Sequence, residues 1–200
     1  MKLDEKIKTT DEPITFKGKN NDTLKALTFV SRTRSTDIET RQFICFIHVE
    51  KNDEGKTIAV ATDGNRMHIA ELSVSIPDGE YNVLKSTASK LEIKRVNISG
   101  EFPNWKRIYD QHVNESPSYI GGIFKFEKSY TAKKTLIGEI VGKICFVFAR
   151  INGNTDTYLN SNYIADLYGF DWKMSYAKNT AIFYSKNMHA IIAAINYEVE

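Results

Sequence analysis

Cysteine, proline and long apolar runs are scarce in this sequence. Only 2 of its 200 residues are cysteine and 4 are proline. Cys45 and Cys145 lie in the apolar runs FICFI and KICFVF, which predicts reduced thiols that act as small core residues. The cysteines and the 4 histidines do not have the spacing of metal ligands, so neither a metal nor another cofactor is expected.

The sequence shows no signal for export or membrane insertion. Its first residues, MKLDEKIKTTDEP, are charged and lack the apolar core of a signal peptide. Its longest apolar runs are far shorter than the ~20 residues that a membrane-spanning helix needs. A soluble, cytoplasmic protein is therefore expected.

Common catalytic motifs are absent as well. The sequence contains no G-x-S-x-G, no phosphate-binding P-loop, no G-x-G-x-x-G and no H-E-x-x-H. Asp63 and His68 could form an acid–base pair, but their odd separation places the side chains on opposite faces of an ideal strand. Asp63 is therefore predicted to be a structural turn residue, and the protein is predicted not to be an enzyme.

Charge is nearly balanced along the chain. There are 27 Lys and Arg residues against 25 Asp and Glu residues, which gives a net charge of +2. A net charge this small does not by itself indicate a nucleic-acid-binding protein, but it permits a local basic face. The length and the 42% hydrophobic content suffice for one large domain or two small ones.

The first half of the chain predicts one helix and a series of strands. After a flexible polar tail at residues 1–12, NDTLKALTFVSR (21–32) has the spacing of an amphipathic helix with Asn21 or Asp22 at its cap. The apolar side of this helix consists of Leu24, Leu27 and Val30, and the polar side consists of Asn21, Lys25, Thr28 and Arg32. Strands are predicted at 14–18, 42–50, 57–62, 66–74, 80–84 and 90–98.

The second half repeats this organisation after an irregular, turn-rich stretch at 99–122. The sequence predicts strands at 123–127 and 143–151 and an amphipathic helix at 131–143. In TYLNSNYIADLYGF (157–170) it predicts a strand, a cap at Asn160 or Ser161, a short helix and a stop at Gly169, and three strands follow. The predicted fold class is α+β, with two tandem lobes of β-α-β-β-β type at 13–108 and 109–200.

Two short stretches contain residues that a turn or a core does not require. In ATDGNRM (61–67), Asp-Gly between two β-rich runs predicts a hairpin, but Asn65, Arg66 and Met67 are left unexplained. In GEFPNWKRI (100–108), aromatic and aliphatic residues stand beside two cations, a mixture that suits protein recognition. The alternative is a linker that Phe102 and Trp105 attach to the core.

Together these stretches resemble the bacterial DNA polymerase III β subunit, the replicative sliding clamp. The family has a hairpin of the form A-T-D-G-H-R-L and a connector of the form G-x-F-P-D-Y-R-R-V, in the same order as here. LNSNYIADL (159–167) is similar to a helix start in the family's third domain, and AIIAAI (190–195) stands in place of its terminal strand. The resemblance implies a clamp-like fold with helices on one face of curved antiparallel sheets.

The chain differs from the family in length and at several motif positions. Nothing in it corresponds to the first of the family's three domains, so it resembles a shortened, divergent member. Asn65 replaces the usual His, Trp105 replaces Tyr, and Ala193-Ala194-Ile195 replaces Met-Pro-Met. Partner preference is therefore expected to differ from that of the housekeeping clamps.

The resemblance implies a site for short linear peptides from polymerases, clamp loaders and repair proteins. In the family, hairpin and connector together form an apolar pocket in which such peptides dock. Carried over to this sequence, the partner-binding residues are Ile44, Thr62, Gly64, Asn65, Arg66, Met67, Pro103, Arg107, Ile108, Ile191 and Ala193. Met67 and Ile108 would offer adaptable apolar surface, and the arginines would hydrogen-bond peptide carbonyls.

The resemblance also implies contact with double-stranded DNA without sequence preference. The candidate cations are Lys25, Arg32, Lys133 and Lys134. A closed ring in this superfamily has six similar domains, so two lobes per chain would give a homo-oligomeric ring of three chains, a trimer. The alternative is a non-encircling interaction module that binds clamp-partner peptides without DNA, as a decoy or regulator.

Overall fold

The computed structural model describes residues 8–9, 12–98, 100–113, 118–125, 140–141, 145–148, 157–177 and 180–194. The chain divides into two compact units, Met1–Trp105 and Lys106–Glu200. Each is described by itself below. Within the described ranges, no helix is long and apolar enough to cross a membrane.

The first unit is built on one antiparallel sheet. Neighbouring strands follow the order β2-β7-β6-β3-β4-β5, and β1 pairs with the remaining part of β7. The strands are β1 Lys8–Thr9, β2 Ile14–Lys17, β3 Ile47–Lys51, β4 Thr57–Thr62, β5 Arg66–Glu71, β6 Gly79–Ser86 and β7 Lys90–Asn97. Sheet and helix together confirm the predicted α+β class.

Helix α1, Asp22–Ser31, packs against this sheet. The side chain of Asn21 accepts a hydrogen bond from the backbone N–H of Leu24 at 3.0 Å, which satisfies one of the free donors at the helix start. Leu24, Leu27 and Val30 are buried, and burial of each side chain stabilises the fold by about 1.5–3 kcal/mol. The predicted cap and apolar face are confirmed.

The strand predicted at 42–50 begins later than expected. Gln42–Ile44 forms a 3-10 turn, in which the carbonyl of Arg41 accepts from the N–H of Ile44 at 3.1 Å. Strand β3 starts only at Ile47. Residues 44–47 are all buried. Their run of apolar residues therefore reflects burial on all sides and not the apolar–polar alternation of a strand.

The stretch predicted as irregular contains a helix and a strand. Helix α2 spans Trp105–Val113 and β8 spans Ser118–Lys125. Pro103 favours an extended conformation of the residue before it. For that reason the stretch was predicted to be irregular, although a helix starts two residues later. The missed signal is the helical spacing of Trp105, Ile108, Tyr109 and His112. The predicted lobe boundary between 108 and 109 lies inside α2.

The second unit contains two antiparallel sheets. One has the order β14-β13-β12-β8 and the other the order β11-β10-β9. Besides β8, its elements are β9 Ile140–Val141, β10 Cys145–Phe148, β11 Thr157–Asn160, helix α3 Ser161–Ala165, β12 Asp171–Ala177, β13 Thr180–Ser185 and β14 Met188–Ala193. The three closing strands are confirmed, and Asn160 caps α3 as predicted by accepting from the N–H of Asn162 at 2.9 Å.

The helix predicted at 131–143 is wrong at its end. Ile140 and Val141 form strand β9, which pairs with Phe146 and Cys145 of β10. Both residues are β-branched, and β-branched side chains favour strands. The rest of the predicted helix, at 131–139, lies outside the described residues.

Candidate functional site

The hairpin between β4 and β5 has a three-residue loop, Asp63–Asn65. One carboxylate oxygen of Asp63 accepts from the backbone N–H of Asn65 at 2.9 Å and of Arg66 at 3.2 Å. Gly64 has φ +93°, a left-handed conformation that glycine adopts without strain. The turn predicted from Asp-Gly is confirmed, and it accounts for both residues.

Arg66 ties the hairpin to the end of helix α1. Its Nε donates to the other carboxylate oxygen of Asp63 at 3.0 Å, and its Nη2 donates to the carbonyl of Arg32 at 3.1 Å. The side chain is 11% exposed. Because these contacts hold the guanidinium inside the fold, Arg66 supports the hairpin, and its contact with a peptide stays a prediction.

The predicted hairpin residues differ in accessibility. Gly64 and Asn65 are exposed at the tip. Ile44 and Met67 are 4% exposed and Thr62 is 9% exposed. Met67 therefore does not present the open apolar surface that the sequence suggested, because its position in β5 turns the side chain inward. Gly64 and Asn65 are thus accessible at the surface, while Ile44, Thr62 and Met67 lie inside the fold.

Arg41 is a neighbour of the tip that the predicted set did not include. Its side chain is exposed, and its Nη1 donates to the carbonyl of Asp63 at 3.3 Å. A Cβ placed on Gly64 would lie 3.2 Å from the same nitrogen. The signal was the arginine that opens the run RQFICFIHVE. Arg41 adds a cation to the tip formed by Gly64 and Asn65.

The connector is attached to the first unit by its aromatic residues. The ring of Phe102 stacks on the imidazole of His48, with centroids 4.7 Å apart and planes 9° apart. The Nε1 of Trp105 donates to Oε1 of Glu50 at 3.1 Å. Pro103, between these two residues, is half-buried. The structure therefore supports the interpretation of Phe102 and Trp105 as attachments to the core.

In the second unit, helix α2 carries Arg107 and Ile108, and both are exposed. The hydroxyl of Tyr109 shares a 2.7 Å hydrogen bond with Nδ1 of His189 on β14, and burial raises the pKa of Tyr109 to about 12. This contact fixes one face of α2 and leaves Ile108, on another, 38% exposed. On β14, Ile191 is 5% exposed and Ala193 is exposed.

Two of the four predicted DNA-contacting residues lie on the described part of the chain. Lys25 on α1 is 47% exposed and lies 3.9 Å from a carboxylate oxygen of Asp22, which is 63% exposed. Arg32 follows α1, is half-buried, and uses its carbonyl to accept from Arg66. Lys133 and Lys134 lie outside the described residues.

His68 is not the partner of Asp63. Its Nδ1 donates to the carbonyl of Phe29 at 2.9 Å, and its ring stacks on that of Phe29 at 4.0 Å. Asp63 accepts hydrogen bonds within the turn, which is the structural role predicted for it. Among the described residues, no group of three or more His, Cys, Asp or Glu side chains could hold a metal ion.

Bacterial sliding clamps are among the solved structures with a similar fold. The β subunit of DNA polymerase III from Borrelia burgdorferi has a TM-score of 0.53 and 11% identity, over 94% of this chain and 65% of that one. The sliding clamp from Pseudomonas aeruginosa has a TM-score of 0.56 and 13% identity, over 92% of this chain and 66% of that one. The clamp from Bacillus subtilis has a TM-score of 0.53 and 11% identity, over 99% and 66%.

These likenesses show the fold that the hairpin and connector motifs predicted. The chain spans a little less than two thirds of the length of the first two clamps, 65% and 66%. No family model matches the sequence, and no curated protein matches it at a significant level. The chain therefore resembles sliding clamps in its fold and in short motifs, but not in its overall sequence.

Proposed function

We propose that this chain, with its sliding-clamp fold, is a non-enzymatic processivity or accessory factor. It contacts or surrounds duplex DNA without sequence preference, and it docks replication or repair proteins through short peptides. The observation that carries the proposal is the clamp fold, which extends over 94% of the chain in the comparison with the Borrelia burgdorferi clamp and 92% in that with the Pseudomonas aeruginosa clamp.

The hairpin supports peptide docking by offering an exposed tip on a rigid base. Gly64 and Asn65 are accessible, while Asp63 and Arg66 hold the loop by hydrogen bonds at 2.9–3.2 Å. A pre-organised loop loses little conformational freedom when a peptide binds, so more of the contact energy contributes to affinity. In the second unit, Ile108 is an exposed apolar group of its own.

Helix α1 supports contact with DNA through Lys25. An ion pair with both side chains as exposed as Lys25 and Asp22 contributes little, so the ammonium group can exchange the carboxylate for a phosphate. A contact of this kind positions DNA and reads no sequence. With a net charge of +2, the contact should be weak and sensitive to salt.

Peptide docking can be tested with a labelled peptide from a polymerase that binds bacterial sliding clamps. We expect Asn65→Ala to weaken binding about threefold to tenfold, the effect of one lost hydrogen bond. We expect Ile108→Asp to weaken it about tenfold or more, because a charge replaces an exposed apolar contact. Fluorescence anisotropy measures both dissociation constants.

Leu84→Asp is the matched control for Ile108→Asp. Leu84 on β6 is 48% exposed, and Ile108 is 38% exposed, so the same change is made at two comparable surface positions. Leu84 is not among the predicted partner-binding residues, and its variant should bind like the wild type. Equal binding by all variants, or no binding by the wild type, would contradict the proposed docking.

A further inference from the structure

A chain of polar contacts joins β3 and β6 to the connector within the first unit. Nδ1 of His48 lies 2.6 Å from Oε1 of Glu80, and its Nε2 lies 3.3 Å from Oε2 of Glu50. Glu80 stands opposite His48 on β6, and Glu50 follows on the same face of β3. The other oxygen of Glu50 accepts from Trp105. We call His48, Glu50, Glu80, Phe102 and Trp105 the His48 cluster.

The hydrogen bonds of the His48 cluster require a charged imidazole. Both ring nitrogens face carboxylate oxygens, and an ionised carboxylate can only accept. A neutral imidazole has one N–H, so it would direct a lone pair at one of the two carboxylates. Only the imidazolium form donates to Glu50 and Glu80 together.

The residues directly opposite His48 and Glu80 on the neighbouring strands are apolar, and the cations Lys94 and Arg95 follow along β7. Val60 stands opposite His48 on β4, and Val96 stands opposite Glu80 on β7. The side chains of His48, Glu80 and Glu50 are 19%, 13% and 26% exposed. Oε2 of Glu80 is buried and accepts no hydrogen bond from the described residues. Two partly buried carboxylates therefore share His48 as a partner.

We propose that charged His48 is a positioning residue that orients Glu50 and Phe102 and thereby places the connector from Phe102 to Trp105 where helix α2 begins. Its imidazolium fixes one oxygen of Glu50, which leaves the other for Trp105. Its ring is the platform for Phe102, and stacking of a cation on an aromatic ring adds attraction. Any effect of His48 on partner binding rests on the proposed function, because the connector contains Pro103, a predicted partner-binding residue.

The charge of His48 sets the pH range in which the connector is held. Burial lowers the pKa of His48, but hydrogen bonds and charge from Glu80, and then from Glu50, outweigh burial and raise the pKa above its ordinary value. The stabilisation is therefore complete below the ordinary value of about 6.5 and is lost as pH rises through the raised pKa. The connector should loosen on the alkaline side.

The indole N–H resonance of Trp105 reports this contact directly. The chain has 2 tryptophans, and the indole signal that disappears in Trp105→Phe identifies Trp105. We expect this signal in the wild type to shift along one titration curve as pH rises from the ordinary imidazole pKa of about 6.5 through the raised pKa of His48. In His48→Gln it should keep one position across that range, because glutamine does not titrate. A constant wild-type signal, or the same titration in His48→Gln, would overturn the proposal.

Glu50→Gln separates positioning by charge from simple structural support. The glutamine carbonyl can still accept from Trp105, while its amide can donate to an unprotonated Nε2 of His48. The variant therefore no longer needs the imidazolium. We expect it to keep the indole signal near its bonded position at alkaline pH and to lose more than half of the pH-dependent shift. Full retention of the wild-type titration would contradict the role of charged His48.

Peptide affinity measured in parallel distinguishes this inference from the proposed function. If both hold, wild-type affinity falls at alkaline pH, and the Glu50→Gln affinity changes less. A normal indole titration without peptide binding at any pH would contradict the proposed docking and support the positioning role. Peptide binding with a constant indole signal would support the proposed docking and contradict the positioning role of His48. Circular dichroism at each pH confirms that the variants are folded.

Discussion

His68 is 0% exposed and donates its Nδ1 proton to the carbonyl of Phe29 at 2.9 Å. Its Nε2 is buried and has no hydrogen-bond partner in the described part of the chain. Burial, together with the charges of Arg66 and Arg32, lowers the pKa of His68 well below its ordinary value. A second proton on this ring would place an unpaired charge inside the first unit.

We expect His68 to make the protein less stable in mild acid. Its lowered pKa means that its stabilisation is complete above about pH 6.5 and falls as pH decreases through the range in which only the unfolded chain binds the proton. The loss is at most ~1.4 kcal/mol per pH unit for one proton. Urea unfolding between about pH 7.5 and about pH 5 measures it.

His68→Phe is the matched variant, because phenylalanine can stack on Phe29 and cannot be protonated. The carbonyl of Phe29 keeps the N–H of Arg32 as a donor at 3.3 Å. The variant should show a shallower loss of stability in the same pH range. An unchanged slope would show that other groups cause the acid sensitivity. His48 acts in the opposite direction, since its contribution is lost as pH rises.

At the scale of elements, the start of α1 depends on one side chain. Asn21 accepts from the N–H of Leu24 at 3.0 Å, and α1 contacts β2, β4, β5 and β7. We expect Asn21→Ala to lower the free energy of unfolding by about 1 kcal/mol. Urea unfolding followed by circular dichroism measures the change.

Asn20→Ala provides the control for this cap. Asn20 is an exposed neighbour of the same residue type, so its replacement removes an amide without removing the cap. Its free energy of unfolding should stay within about 0.5 kcal/mol of the wild type. Equal losses in both variants would mean that the cap contributes nothing specific.

Elements with local signals could be predicted from the sequence, and those that depend on tertiary contacts could not. Helix α1 is indicated by its cap and its apolar face. The hairpin is indicated by Asp63-Gly64. The start of strand β3 was predicted too early, because uniform burial hides alternation at 44–47. Helix α2 was missed, because Pro103 suggested an irregular segment. The resemblance to sliding clamps supplied the fold where the local pattern was weak.

The hairpin that carries part of the candidate site was predictable from the sequence, but the exposure of its residues was not. The motifs identified the hairpin tip, and the structure adds that Met67 and Ile191 are inside at 4% and 5% exposed. The His48 cluster had no sequence signal, because Glu80 and Phe102 are far from His48 along the chain and meet it only through strand register and the path of the connector.

For the whole molecule, the decisive property is its oligomeric state. A ring of six similar domains built from two-unit chains should have three times the 22.8 kDa of one chain. Size-exclusion chromatography with light scattering at micromolar concentration measures this mass. A stable closed oligomer supports encirclement of DNA. A monomer that binds clamp-partner peptides would contradict the ring and favour the non-encircling module.

The outer edge of strand β7 is covered by two short strands. Its outer side is occupied by β2 along Lys90–Ile93 and by β1 at Val96 and Asn97. An open eight-residue strand at this place would be a template for uncontrolled pairing between chains. The protein instead presents two strands of 2 and 4 residues. We therefore expect β1 and β2 to limit pairing between chains at high concentration in addition to completing the sheet.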